Sequence, residues 1–182
     1  LSYRQFDLSA GAVIAAAFAA AMIVLAMIDL EHYILPDVIT KPGIVVGLVL
    51  QPWIPWSTLA EALIGVALGA GLLAGLSWGW YWLRGVHGMG FGDVKMLAMV
   101  GAFLGWQGVV GTLLLGSIGG TAVGLGLMVA GRGGLQSKLP FGFFLAVGAI
   151  LSLFYSAELF ETYLRISGLD ALVGQQGVAP AP

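Results

Sequence analysis

Cysteine is missing from this chain, and charge nearly so. Without a single Cys among 182 residues, disulfides, thiol nucleophiles and thiolate-held metals are excluded. Charged residues make up only 9%, against about 25% in an ordinary soluble domain. A surface so poor in charge cannot be solvated by water. The net charge of -2 and the lack of a basic tract remove electrostatic support for nucleic-acid binding. No cleavable signal peptide stands out, and the chain begins with Leu1, which points to processing, trimming or a fragment.

What is present is apolar. Hydrophobic residues account for 59% of the chain. A bilayer-crossing helix needs about 20 of them in succession. The sequence therefore predicts an all-α, polytopic membrane protein, a bundle of six transmembrane helices with two short segments. The segments are residues 8–28, 43–56, 58–83, 96–104, 109–130 and 139–157. Pro52 and Pro55 break the end of the second, and Gly105, Trp106, Gln107 and Gly108 read as a tight turn between the fourth and fifth. Residues 1–157 form one membrane-embedded domain, and residues 158–182 read as a loose C-terminal tail.

Six spans place both termini on one side. The loops on the other side hold Lys41, Arg84, Lys95, Arg132 and Lys138, while the terminal side holds only Arg4 and Arg165. Positive charge accumulates on the cytoplasmic side, so these loops are expected to face the cytoplasm and both termini to face out. Glycines four apart, Gly65 and Gly69, Gly71, Gly75 and Gly79, and Gly116, Gly120 and Gly124, suit close helix packing in lipid. Trp53, Trp56, Trp78, Trp80, Tyr81, Trp82 and Trp106 lie near span ends, as interfacial aromatic residues do.

Acids at membrane depth are costly, by at least about 2.5 kcal/mol for Asp at a helix centre, and are functional candidates by default. Asp29, Glu31, Asp37, Glu61 and Asp93 make up that set, with Glu61 alone near the outer face. Asp29 follows 21 uncharged residues and ends the first span. Asp93 opens the fourth segment after Gly88-Met89-Gly90-Phe91-Gly92. The topology puts both at one depth, where two carboxylates from different helices can share a proton and hydrolyse a peptide without a metal or cofactor. The helix dipole favours charge at Asp93, near a helix N-terminus, over Asp29, near a C-terminus; Asp93 is thus expected to be the ionised member. Gly88, Gly90 and Gly92 would let an extended substrate approach the backbone. Lys95 and Lys41 read as interfacial anchors, with Lys95 able to grip an acidic substrate group. Asp37 reads as the N-cap of the helix from Val38, able to tune the pair.

Other chemistries find less. His32 and His87 read as solvated interfacial side chains, and Glu31, His32 and Asp37 are too sparse for a metal site. Ser117, mid-helix, lies far from either histidine, which excludes a serine–histidine protease. The alternatives to a protease are a small transporter or channel using Asp29 and Asp93 as a proton relay, and an inert assembly subunit.

Three stretches together resemble the bacterial prepilin peptidases, or type IV leader peptidases. They are Ile28-Asp29-Leu30-Glu31-His32-Tyr33-Ile34-Leu35-Pro36-Asp37, Gly88-Met89-Gly90-Phe91-Gly92-Asp93-Val94-Lys95 and Leu139-Pro140-Phe141-Gly142-Phe143-Phe144-Leu145-Ala146. The second carries the Gly-x-Gly-Asp pattern that this family shares with presenilin-type proteases. Family members usually have Pro where this chain has Phe143, a departure expected to affect the helix start and not the aspartates. The resemblance implies Asp29 and Asp93 as the catalytic pair. It also implies cleavage of a basic leader from prepilins or pseudopilins, the subunits of type IV pili and type II secretion, at the cytoplasmic membrane face. Long family members carry a further N-terminal region, often with zinc-binding Cys pairs and linked to methylation. Its absence here implies a truncated chain or a second-chain partner, and no methyltransferase role for these residues.

Overall fold

The computed structural model describes residues 10–84, 90–130 and 140–167. Among them the only regular structure is helical, with no strand. Five helices follow one another: α1 (Ala10–His32), α2 (Asp37–Val49), α3 (Leu59–Arg84), α4 (Phe91–Val129) and α5 (Phe141–Ser167), with one 3-10 turn at Gln51–Trp53. Three stretches, Ala10–His32, Leu59–Gly79 and Phe91–Val129, are long and apolar enough to cross a membrane, and the apolar part of α5, Phe141–Tyr155, is shorter.

Helix α4 is the centre of the bundle, packed by α3 and α5 along its length and by the short α2. Helix α1 rests chiefly on α5. Phe18 of α1 still reaches Phe103 of α4, ring centroids 5.0 Å apart, within a buried set that includes Met22, Leu25, Met96, Leu97 and Leu145. Glycine sets the closest approach. A Cβ on Gly65 would lie 2.8 Å from the Gly101 carbonyl oxygen, and one on Gly69 2.6 Å from that of Leu97. The antiparallel backbones of α3 and α4 are in direct contact, which gives dispersion attraction where lipid offers no hydrophobic drive. The packing role expected for the glycine series holds at Gly65, Gly69 and Gly116, but Gly71, Gly75 and Gly79 have nothing within 4 Å of an added Cβ. They lie on an outward face, beside the exposed Trp78 and Trp82.

The expected turn at 105–108 is narrower than four residues. Only Gly105 leaves helical geometry, at φ 69° and ψ -172°, and Trp106 to Gly108 are helical again. The break removes helical partners from the carbonyls one turn earlier, and the α2–α3 connection supplies replacements. Gln51 Nε2 donates to the Ala102 oxygen at 2.7 Å, and Trp56 Nε1 donates to the Phe103 oxygen at 3.1 Å. Ser57 Oγ joins them, 3.2 Å from Gln51 Oε1. Helix α3 then starts on a capping box: Thr58 N donates to Glu61 Oε2 at 2.8 Å and Glu61 N to Thr58 Oγ1 at 3.3 Å. Glu61, expected near the outer face, thus has a structural task at a helix start.

Helix α5 runs to Ser167, past residue 157 where the last span was expected to end. The residues beyond bring in Glu158, Glu161, Thr162 and Arg165, but none up to Ser167 is Gly or Pro. Polarity ends the apolar window there without ending the helix. Residues 168–182 of the expected tail lie outside the described residues.

Candidate active site

The first side of the site is the end of α1. Asp29 closes its last turn, with the Tyr33 amide donating to the Asp29 carbonyl at 2.9 Å. Tyr33 then takes a left-handed φ of 55°, which turns the chain sharply toward Leu35 and Pro36. This directs Asp29 inward, only 5% exposed. The second side is the start of α4. Gly90 is its N-cap, extended at φ -70° and ψ 136°, and the Asp93 amide donates to the Gly90 oxygen at 3.2 Å. Asp93 is 9% exposed.

The two carboxylates face one cleft of about 560 Å³, walled also by Tyr33, Leu35, Gly90, Gly92, Pro140 and Phe141. Both lie at helix ends, as the sequence indicates, and the bundle brings them together. Gly90 and Gly92 are at the wall, and a Cβ on Gly92 would meet Leu35 Cβ at 2.8 Å. At that position the missing side chain admits a neighbour from the same chain. Gly88, His87, Arg132 and Lys138 lie outside the described residues.

Asp37 and Lys95 also line the cleft. Asp37 differs from its expected role. Pro36 is the N-cap of α2 and Asp37 its first residue, with no side-chain capping bond. Its carboxylate instead takes Lys41 at 2.7 Å and Lys95 at 2.5 Å. The Lys41 hydrogen bond first, then that of Lys95, hold the Asp37 carboxyl below the usual carboxylate range. Lys95 is therefore tied across the cleft mouth, joining α4 to α2. His32 and Glu31 are exposed neighbours, 3.9 Å apart, and Ser117 is exposed on α4.

A third wall was absent from the site read in the sequence. The first turn of α5 points at Asp29. The Phe143 amide donates to Asp29 Oδ2 at 2.9 Å, and the adjacent Gly142 amide is directed at the same carboxylate. A Cβ on Gly142 would lie 2.8 Å from Asp29 Oδ2 and 3.0 Å from Leu35 Cδ1. The departure at Phe143 thus reaches an aspartate directly. The dipole argument also changes, because Asp29 ends its own helix but lies at the N-terminus of another. Pro140 followed by Gly142, just ahead of an apolar run, was the signal available for this wall.

Chemically, the cleft offers two buried carboxylates, backbone donors on one of them, a paired lysine at the mouth and walls of small and apolar groups. Two carboxyl groups in one low-dielectric space share a proton more readily than both ionise.

Residues 16–125 match the type IV leader peptidase family. The chain is 36% identical over 163 residues to the prepilin leader peptidase/N-methyltransferase of Burkholderia pseudomallei (strain 1026b), covering 90% of this chain and 52% of that protein. It is 34% identical over 151 residues to the protein of the same name from Pseudomonas putida, covering 81% and 51%. With the one from Aeromonas hydrophila it shares 38% over 144 residues, covering 79% and 49%. The chain spans about half the length of these curated relatives. No solved structure matches it. The family match covers more than half of the chain, and the relatives carry the same family's name: the chain belongs to the type IV leader peptidase family.

Proposed function

We propose that this chain is the membrane-embedded peptidase part of a prepilin leader peptidase, with Asp29 and Asp93 as its catalytic pair. The observation that carries the reading is the meeting of these two carboxylates, 64 positions apart by their numbers (93 − 29), in one cleft at the same end of the bundle. The substrate is a prepilin or pseudopilin, and the bond cut joins its leader to the apolar mature segment. The ionised aspartate takes a proton from water, and the protonated one polarises the scissile carbonyl. The water then attacks, and the collapsing intermediate returns a proton to the leaving amine. No covalent intermediate with the protein forms. Gly90 and Gly92 border the path of the extended substrate, and Lys95, tied by Asp37, shapes the mouth.

The six-span arrangement belongs to this proposal. In it α1, α2, α3, the two halves of α4 on either side of Gly105, and α5 each cross the bacterial inner membrane. The cleft faces the cytoplasm and both termini face out, in agreement with the distribution of Lys and Arg. Methyl transfer is not assigned to these residues.

The test is leader removal from a purified prepilin, followed on a gel, by the chain in detergent or liposomes. Asp29→Asn and Asp93→Asn each abolish cleavage while the helical content stays unchanged. Cleavage that survives either substitution refutes the pair.

A further inference from the structure

Asp29 and Asp93 are alike in burial but not in hydrogen bonding. Among the described residues no donor is directed at the Asp93 carboxylate, whereas the Asp29 carboxylate accepts the Phe143 amide at 2.9 Å. That amide is available because Phe143 is the third residue of α5, and the first four N–H groups of a helix have no intrahelical acceptor. Gly142 keeps the approach open, since any side chain there would collide with Asp29 Oδ2. A carboxylate accepts such a bond more strongly when ionised than when protonated.

We infer that the backbone amide of Phe143 is a positioning group that holds Asp29 as the ionised, base member of the pair and leaves the shared proton on Asp93. The inference rests on the proposed protease reading and deepens it. It reverses the assignment that the helix dipoles of α1 and α4 alone suggest. The other polar groups facing Asp29 across the cleft are Asp93 from α4, Tyr33 from the end of α1, and Asp37 with Lys95 at the mouth. Asp37 and Lys95 are paired with each other. The described first turn of α5 brings no charged side chain. Glu31 and His32, also on α1, are exposed. Backbone donation from the first turn of α5, by Phe143 at 2.9 Å and with the adjacent Gly142 amide beside it, is therefore what Asp29 has and Asp93 lacks among the described residues.

In water activation the base is Asp29: its free oxygen takes the proton of the water as the water oxygen bonds to the scissile carbon. Asp93 gives its proton toward the carbonyl oxygen. The C–N bond then breaks: the amine leaves with the proton that Asp29 took up, and one hydroxyl of the intermediate returns its proton to Asp93 as the new carboxyl group forms.

The experiment measures kcat and KM against pH for cleavage of a synthetic prepilin peptide spanning the leader junction. Three forms of the chain are compared with the wild type. Phe143→Ala keeps the amide, Phe143→Pro removes it, and phenyllactic acid at 143, introduced by stop-codon suppression, replaces only the N–H by an ester oxygen. Pro is accepted in the first turn of a helix, and the ester form retains the side chain should the Pro variant fail to fold. Phe143→Ala is expected to keep the wild-type pH profile. In the other two the acidic limb of kcat moves up by about one pH unit, with KM changed less than about twofold, the scale of one lost charge-assisted hydrogen bond. An unmoved limb in the ester form overturns the inference, as does an equal movement in Phe143→Ala. Failure of the protease reading is distinguishable, because then Asp29→Asn and Asp93→Asn leave cleavage intact.

Discussion

Replacing Gly105 by Ala tests the break in α4 directly. At φ 69° and ψ -172° the backbone occupies a region open essentially to glycine alone, and forcing another residue there costs about 1–3 kcal/mol. The added methyl meets Glu61 Cβ at 3.3 Å, Gln107 Oε1 at 3.4 Å and Ser57 Cβ at 3.5 Å. These contacts are tight at worst, so the backbone dominates the loss. At about 2–4 °C per kcal/mol for a chain of this size, the melting temperature falls by roughly 2–12 °C. Gly75→Ala is the control. It also lies on a helix, with open space around an added Cβ, and Ala exceeds Gly in a helix interior by about 1 kcal/mol. Its melting temperature should rise by a few degrees, roughly 2–4 °C. Thermal unfolding in detergent, followed by tryptophan fluorescence and circular dichroism, reads both. If Gly105→Ala melts with the wild type or above it, the residue is not held in that conformation and the break does not depend on glycine.

Gly142→Ala places a methyl 2.8 Å from Asp29 Oδ2; kcat for prepilin cleavage should fall by about tenfold or more while the melting temperature moves little, the mark of a displaced reacting group. Gln51→Leu leaves the Ala102 carbonyl without the donor it has at 2.7 Å, and the cost of about 1–3 kcal/mol for an unmet buried acceptor should appear as a lowered unfolding midpoint. Asp37→Asn removes a carboxyl held below its usual range by Lys41 and Lys95. Because the native value is lowered, the ion pairs contribute fully above the unfolded value of about 4 and fade as pH falls through the native one. The melting difference between Asp37→Asn and wild type should therefore be present at pH 7, shrink below about pH 4, and weaken with added salt.

The helical, lipid-embedded character was legible because it depends on composition and run length, which no tertiary contact overrides. The two aspartates were legible for a similar reason. Each ends or begins an apolar run, and both line the same cleft. The break at Gly105 was visible as a glycine beside polar residues, but its width was not. Gln51, Trp56 and Ser57 satisfy the freed carbonyls from another part of the chain, and that lets the helix resume at once. Asp37 was misread as a cap because Pro36 already occupies the cap position, and its lysine partners include one from α4. The hardest feature to read was the donor on Asp29. A main-chain amide leaves no residue-type signature, and the 114 positions separating Asp29 from Phe143 are closed only by the packing of α1 on α5.

The division of α4 at Gly105 has a consequence for the surrounding lipid. Helix α2 has 13 residues and the part of α4 before the break runs over residues 91–104, so each is only about 20 Å long at 1.5 Å per residue. Set across a bilayer as proposed above, neither matches a hydrocarbon slab of about 30 Å. Acyl chains beside these two helices must shorten or tilt, and the headgroup layer dips toward Asp93. Hydration of the cleft is in this way a property shared between protein and lipid, and the rate of cleavage should depend on whether the host membrane is thick or thin.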